Sequence, residues 1–291
     1  MRRNVFGFHA ILITFFSLFV VVSQAEKAQA DFLSLPPASS RPRVISQHDI
    51  GDCACGPCAV FNALEFGDPA LNNLAAALPG HAPADKVRAL IQQYGGQPSI
   101  VTRNQPRYLD NGGMWEDDLV SFINDCLKTD SAAPVRGDHL TRQANETGTA
   151  CLRRVYDELS HSLTAGFPPV VNLQAYTEHK NFFHRYWKWM DGHFVTVVAV
   201  QNTLPQDASK FSMSVADSQS GRILEVSVYA DQNRQPASLA RTQTQRSGKV
   251  PAQVARDYPC LTIQSPKLEG ILEGPANSAQ TICVIDYAVH R

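Results

Sequence analysis

The sequence predicts an α+β protein, with helices in the first half of the chain and strands in the second half. In the first half, apolar residues recur every three to four positions, which is the helical period, most clearly over 116–127. After Gly166, short runs rich in β-branched residues are bounded by Pro, Gly, Asn or Asp, which is typical of strands. A helix-rich part followed by a strand-rich part favours two layers that meet along one surface.

The individual elements follow from these periodicities. Helices are predicted at 56–66, 70–78, 83–94, 116–127 and 149–165, and strands at 168–174, 194–201, 211–216, 223–229, 261–263 and 281–287. The first helix begins at a Cys-Gly-Pro-Cys run. Pro57 lies in its first turn, where a missing N–H costs nothing.

The N-terminal residues predict export. Met1-Arg2-Arg3 is basic, 5–22 is mostly apolar, and small residues follow at 23–25 and 28–30. We therefore predict a signal peptide over 1–30, with an uncleaved membrane anchor of about 18 residues as the alternative. An extended entry segment rich in proline and serine follows at 31–44, and one domain covers 45–291, with a polar insertion at about 230–253.

Composition limits the classes of function. A formal net charge of -1 argues against a nucleic-acid partner, and 44% hydrophobic with 18% charged residues is typical of a globular protein. Seven cysteines is an odd number, so in an exported protein at least one is left outside the expected disulfides. The remaining cysteine is either a nucleophile or a structural thiol. No metal site and no cofactor are expected, because the clustered cysteines lack a second ligand pair.

The run Cys55-Gly56-Pro57-Cys58 is compatible with two chemistries. As Cys-x-x-Cys, it has the spacing of a thioredoxin-type redox pair. As Cys-Gly-Pro at a helix start, it places one thiol at a helix N-terminus, where the helix and a nearby imidazolium lower a thiol pKa from about 8.5 to between about 3.5 and 7.5. A redox motif should follow a buried apolar strand, and 45–52 is not one. The nucleophile is therefore favoured, and a thiol-disulfide oxidoreductase using Cys55 and Cys58 is the alternative.

His193 and Asp217 are the candidate partners of Cys55. His193 precedes an apolar strand, and it follows Cys55 by 138 residues, within the interval of about 130 to 150 known for one Cys-His arrangement. Asp217 ends the next predicted strand, where it would accept the ring N–H of His193 and determine its tautomer. The structural alternatives are a hydrogen-bonded histidine at a strand end and an aspartate that caps a turn.

Gln47 precedes the nucleophile loop. A side-chain amide there would donate to a tetrahedral oxyanion beside the Cys55 backbone N–H, a contribution of about 2.7 to 4 kcal/mol in catalysis. The alternative is an exposed loop glutamine with no role in the site.

Three segments resemble the motifs of papain-superfamily cysteine peptidases related to the double-glycine leader peptidases of bacteriocin export. The segments are Cys55-Gly56-Pro57 at a helix start, Gly192-His193 before an apolar strand, and Asp217 followed shortly by Gly221. The resemblance covers the elements of about 45–229 and implies a papain-like fold, in which a helical N-terminal half packs on an antiparallel sheet in the C-terminal half. It also implies a Cys-His-Asp triad with an upstream Gln at the oxyanion.

The resemblance leaves the nucleophile open among three cysteines. Such enzymes usually place the Gln six positions before the nucleophile, and Gln47 stands eight before Cys55, so that spacing selects Cys53. The papain pattern Cys-Gly-Ser-Cys-Trp-Ala-Phe aligned on this run selects Cys58. Cys55 fits the Gly-Pro helix start best, and we therefore predict it as the nucleophile.

These observations predict an exported cysteine peptidase or amide hydrolase, periplasmic or extracellular, that works through a thioacyl-enzyme. A papain-like acyl transferase would use the same residues, because the cleft and not the triad decides the acceptor. The expected partner is a peptide or amide substrate. Neither nucleic acid nor, after signal cleavage, a membrane is expected.

Overall fold

A computed structural model describes residues 32–35, 42–128, 132–180, 185–231, 260–264 and 281–291 of the protein. The predicted signal peptide over 1–30 lies outside the described residues. Of the predicted polar insertion, Ala230 and Asp231 belong to a strand, and the rest lies outside the described residues.

The described helices agree closely with the predicted ones. They are α1 (Cys55–Phe66), α2 (Pro69–Ala77), α3 (Pro83–Leu90), α4 (Glu116–Leu127) and α5 (Gly148–Thr164). The helix predicted at 83–94 divides, because a π-helical turn over Ile91–Gly95 follows α3.

Local capping explains where two of the helices begin. At α2, the Asp68 side chain accepts the Leu71 N–H at 3.0 Å and Pro69 occupies the first turn. At α5, the Thr147 hydroxyl accepts the Ala150 N–H at 3.1 Å. Each cap satisfies a first-turn N–H group that has no partner within its helix.

Ten strands are described. They are β1 (Phe32–Ser34), β2 (Tyr108–Leu109), β3 (Gly113–Met114), β4 (Arg136–His139), β5 (Val170–Lys180), β6 (Arg185–Gln201), β7 (Lys210–Asp217), β8 (Arg222–Asp231), β9 (Cys260–Gln264) and β10 (Thr281–His290). All their pairings are antiparallel, and β2 with β3 forms a separate hairpin.

Six of these strands close into an antiparallel barrel in the order β6-β5-β10-β9-β8-β7, because β7 pairs again with β6. Two short strands extend the sheet, β1 on β6 and β4 on β10. The predicted papain-like fold, a helical half packed on an antiparallel sheet, is therefore wrong. The strands close on themselves, and two of the strands in the sheet come from the N-terminal half of the chain.

The closed barrel was not predicted because closure depends on which strand edges pair. β6 is 17 residues long, and a different strand pairs with each of its two edges. Val170 to Lys180 of β5 pair on one side, while Thr196 to Val200 of β6 pair with β7 on the other. Alternation of side chains reports which face of a strand is buried, but it does not report which strands share an edge.

The entry segment predicted at 31–44 contains a strand. Phe32, Leu33 and Ser34 pair with Gln201, Val200 and Ala199 at the end of β6. This part of the segment is thus anchored in the sheet.

The barrel strands bury side chains on both faces. Val171, Leu173 and Val195 pack in one apolar cluster with residues of α5, whereas Val170 and Phe194 pack in another cluster with α1 and α4. Residues that follow one another along a strand therefore contact different helices, as the period of two requires. In the part of the chain that the structure describes, no helix is both long and apolar enough to cross a membrane.

Candidate active site

Cys55 is the first residue of α1, and its half-buried thiol lines a cleft. The first N–H groups of a helix have no partner within it and the N-terminus carries a partial positive charge, so a negative charge is favoured there. A buried hydrogen bond fixes α1 on the barrel, because the Thr196 hydroxyl donates to the Ala59 carbonyl at 2.7 Å. The barrel strand β6 thereby determines where the thiol lies.

His193 and Asp217 lie where β6 and β7 separate. The last pair of residues on these strands is Thr196 with Ala216, and the side chains of His193 and Asp217 lie just beyond that end of the ladder. The distance between His193 Nε2 and Asp217 Oδ1 is 2.7 Å, and the two residues are only 3% and 2% exposed. The carboxylate thus faces the imidazole inside the protein, where water does not compete for it.

The turn after β7 orients Asp217. Its Oδ1 accepts the Gln219 N–H at 2.9 Å and its Oδ2 accepts the Ser220 N–H at 3.1 Å. Asp217 therefore caps a turn and also contacts His193, so the two alternatives considered for this residue hold together.

The other ring nitrogen of His193 is directed to Cys55. Because Nε2 is hydrogen-bonded to Asp217, Nδ1 is the ring nitrogen left to interact with the Cys55 thiol, whose pKa His193 lowers. The Phe194 backbone also contributes to lowering the pKa of this thiol. Cys55 thus interacts with His193, which is in turn hydrogen-bonded to Asp217.

The pKa values of the three groups shift in mutually consistent directions. Burial opposes ionisation of Cys55, but the hydrogen bond and positive charge of His193 outweigh it and lower the pKa of the thiol. Burial also opposes the charge on His193, yet hydrogen bonds to Asp217 and Cys55 raise its pKa to about 10. The pKa of Asp217 is lowered, against burial, by His193 and the turn hydrogen bonds. The favoured state is a thiolate beside an imidazolium.

The neighbouring cysteines lack this environment. Cys58 is fully buried, and burial together with the charge of Cys55 raises the pKa of its thiol. Cys53 lines the same cleft, but the thiol whose pKa His193 lowers is that of Cys55. Cys55 and Cys58 are free thiols rather than a disulfide.

Gln47 lies at the site, and its hydrogen-bonding capacity is already in use. It is buried, its Nε2 donates to the Asp52 carbonyl at 2.8 Å and to Gln219 Oε1 at 3.2 Å, and its Oε1 accepts the Ser218 hydroxyl at 3.0 Å. The exposed-loop alternative is therefore wrong. Both amide hydrogens are engaged, so donation to an oxyanion requires that it replace one of these acceptors, and the longer bond, to Gln219 Oε1, is the easier one to replace.

A cleft of about 640 Å³ opens over the thiol. Polar and aromatic side chains from α4, the β2–β3 hairpin, β5 and β6 form its walls. The described lining residues are Gln47, Asp52, Cys53, Cys55, Gln105, Leu109, Asn111, Gly112, Gly113, Met114, Trp115, Glu116, Asn172, Gln174, Trp189, Asp191, Gly192, His193, Phe194 and Gln219.

Several of these residues were missed by the sequence reasoning. Gln219 directly follows the Asp217-Ser218 motif and contacts Gln47. Gln174 accepts the Trp189 indole N–H and packs on Gly192, where an added Cβ would lie 3.0 Å from the Gln174 amide. A polar residue at alternate positions of an otherwise apolar strand was the available signal for Gln174.

Among the described residues, no group of three His, Cys, Asp or Glu side chains is arranged to hold a metal ion. Comparisons of the chain with protein-family models, with curated proteins and with solved structures gave no match.

Proposed function

We propose that the protein is a cysteine hydrolase that cleaves a peptide or related amide bond with Cys55 as nucleophile. The observation that carries the proposal is that the Cys55 thiol interacts with the His193 ring, which is hydrogen-bonded to the buried Asp217 carboxylate. The motif resemblance to double-glycine leader peptidases supports the same chemistry, although the barrel is not a papain-like arrangement.

The proposed reaction has two halves. The Cys55 thiolate attacks the carbonyl carbon, a C–S bond forms, and the carbonyl electrons move to the oxygen. The proton on His193 Nδ1 passes to the leaving nitrogen, the C–N bond breaks, and an amine and a thioester remain. Nδ1 then takes a proton from water, whose oxygen attacks the thioester and releases the acid and Cys55.

Asp217 acts on His193 and not on the substrate. By accepting the Nε2 hydrogen, it keeps Nδ1 directed at Cys55 and stabilises the imidazolium. Its role is therefore that of a positioning residue. Its loss should reduce turnover more than substrate binding.

In this proposal the oxyanion lies near the start of α1. The first-turn N–H groups of α1 and the Gln47 amide are the available donors there, with Gln219 as the group that the oxyanion displaces from Gln47. If so, Gln47→Ala should reduce kcat by about 10²- to 10³-fold, the usual effect of losing one such donor.

Acyl transfer to an amine would use the same thioester and remains an alternative. Turnover in the presence of a small amine such as hydroxylamine, followed by mass spectrometry of the products, separates the two activities. For the redox alternative, Cys58 is unfavourable as a resolving thiol because it is fully buried and its pKa is raised.

The decisive experiment is labelling of the purified protein with iodoacetamide at acidic pH, followed by peptide mapping. Wild-type protein should be alkylated at Cys55, and Cys55→Ala should abolish both labelling and hydrolysis of a fluorogenic peptide library. Cys53→Ala and Cys58→Ala are matched controls, since each removes one neighbouring thiol. Labelling that survives Cys55→Ala and is lost in Cys53→Ala would contradict the assignment.

We also propose that the protein acts outside the cytoplasm, on the basis of the basic and apolar pattern of 1–30. The intact mass of the protein recovered from its native compartment tests this. Cleavage after Ala25 or after Ala30 predicts a chain that begins at residue 26 or at residue 31, and each chain has its own mass.

A further inference from the structure

The described lining of the cleft carries three carboxylate side chains, Asp52, Glu116 and Asp191, and no lysine or arginine. Asp52 and Asp191 are exposed to solvent, where a single charge is strongly screened. Glu116 is half-buried. Its charge is therefore less screened by water than theirs, although the charge of Asp191 also acts on the Cys55 thiol.

Glu116 is held in position by two structural features. It is the first residue of α4, where the helix dipole favours a negative charge. Its Oε1 accepts the Asn172 Nδ2 at 2.7 Å. This bond also orients the Asn172 amide, because the reverse orientation would bring two oxygens together.

Asn172 presents an acceptor that has no hydrogen-bond partner among the described residues. The residue is 4% exposed and lines the cleft, and its Oδ1 is buried. A buried acceptor without a partner is unfavourable in a folded protein and marks a position for a missing donor. Glu116 and Asn172 together therefore supply two acceptor oxygens beside this part of the cleft, the Asn172 oxygen being buried until a donor reaches it.

The pair lies close to the nucleophile. Asn172 of β5 is directly opposite Phe194 of β6, and both residues line the same cleft as Cys55. Opposite residues on neighbouring strands share one face of the sheet. A group that reaches Glu116 and Asn172 is thus attached near the carbonyl that Cys55 would attack.

We propose that Glu116 and Asn172 form a subsite for a cationic N–H donor, an ammonium or guanidinium group, on the substrate. The specificity role rests on the proposed hydrolase function. A negative carboxylate beside a neutral acceptor is complementary to a group that carries both positive charge and hydrogens. The substrate class that follows is an amide with a basic side chain or amine next to the scissile bond.

Thiol modification tests the subsite without requiring hydrolysis. The probes are 2-aminoethyl methanethiosulfonate, which carries an ammonium, and its neutral 2-hydroxyethyl analogue; each forms a mixed disulfide with the thiolate and releases methanesulfinate. Peptide mapping gives the rate at which each probe modifies Cys55. The rate for the ammonium probe divided by the rate for the neutral probe, each relative to its rate with a free thiol in solution, measures the preference for a cation. We expect Glu116→Gln to lower the ratio about tenfold, the usual contribution of a hydrogen bond to a charged group.

Asp52→Asn and Asp191→Asn are matched controls, since each removes an exposed carboxylate of the same cleft. Both should retain most of the preference, whereas Asn172→Leu should lose it as Glu116→Gln does. An unchanged rate with the neutral probe shows that each variant keeps a folded site. The subsite is overturned if the rate ratio falls equally in Glu116→Gln, Asp52→Asn and Asp191→Asn. It is also overturned if the ratio does not fall in Glu116→Gln.

A second measurement separates the subsite from the proposed function. Peptide amides that differ only in Arg, Lys or citrulline beside the scissile bond should show kcat/KM reduced about tenfold or more for citrulline, the neutral isostere of Arg. Equal cleavage of all three overturns the subsite while hydrolysis stands. Cation preference toward the thiosulfonates with no amide cleaved supports the subsite and overturns the hydrolase.

Discussion

Asp217→Asn removes one negative charge from the site and preserves the shape of the side chain. In the wild-type protein, Asp217 Oδ1 lies 2.7 Å from His193 Nε2, and the carboxylate is 2% exposed. A hydrogen bond between charged partners contributes about 1.5 to 3 kcal/mol, and one pKa unit corresponds to about 1.4 kcal/mol. The pKa of His193, raised to about 10, should therefore fall by about one to two units in the variant.

The sign follows from which form of the ring Asp217 stabilises. The carboxylate favours the imidazolium, so its loss makes the ring release its proton at lower pH. Because the imidazolium in turn stabilises the thiolate, the alkaline limit of the thiolate–imidazolium state should move downward. Nitrogen NMR titration of histidine-labelled protein measures the pKa of His193 directly, and kcat/KM against pH reports the same limit.

Asp191→Asn is the matched control, because it removes an exposed carboxylate from the same cleft without touching the His193 ring. The reasoning is refuted if the alkaline limit stays unchanged in Asp217→Asn, or if Asp191→Asn shifts it equally. The second outcome would mean that the general field of the cleft, and not the hydrogen bond, holds the imidazolium.

Three further predictions concern the reactivity of the Cys55 thiol, the contact that fixes α1, and the cap of α2. Iodoacetamide should alkylate Cys55 well below pH 9.0, whereas Cys58 should stay unmodified there because the pKa of its thiol is raised. Peptide mapping over a pH series measures both thiols, and alkylation of the two in parallel would contradict the prediction. Thr196→Val removes the hydrogen bond to the Ala59 carbonyl and should cost about 1 kcal/mol of unfolding free energy in urea. Asp68→Ala removes the α2 cap and should cost about 1 kcal/mol in the same assay, whereas Asp68→Asn, another good cap, should cost less.

The secondary structure was largely predictable from local sequence. The helix predicted at 149–165 is observed at Gly148–Thr164, and the strand predicted at 211–216 is observed at Lys210–Asp217. Periodicity and capping act within a few residues, so they are visible along the chain. The boundaries of β6 were less predictable, because its first residues, from Arg185 onward, pair with β5 beyond the apolar run.

The site was predictable in its residues but not in its surroundings. Cys55, His193 and Asp217 belong to motifs with a chemical meaning, and the structure brings them together in one site, while their catalytic roles stay a prediction. Glu116 and Asn172 carry no motif. They meet only because the start of α4 packs against β5, a contact between residues 56 positions apart.

The sequence by itself determined the five helices and six of the ten described strands, and it indicated Cys55, His193 and Asp217 as candidate residues, because both follow from short-range patterns. The tertiary structure decided that the strands close into a barrel, that Cys55 and not Cys53 or Cys58 meets His193, and that the Gln47 amide is already engaged. Each of these depends on which edges pair and which side chains meet across long stretches of chain. Side-chain alternation carries no information about edge pairing.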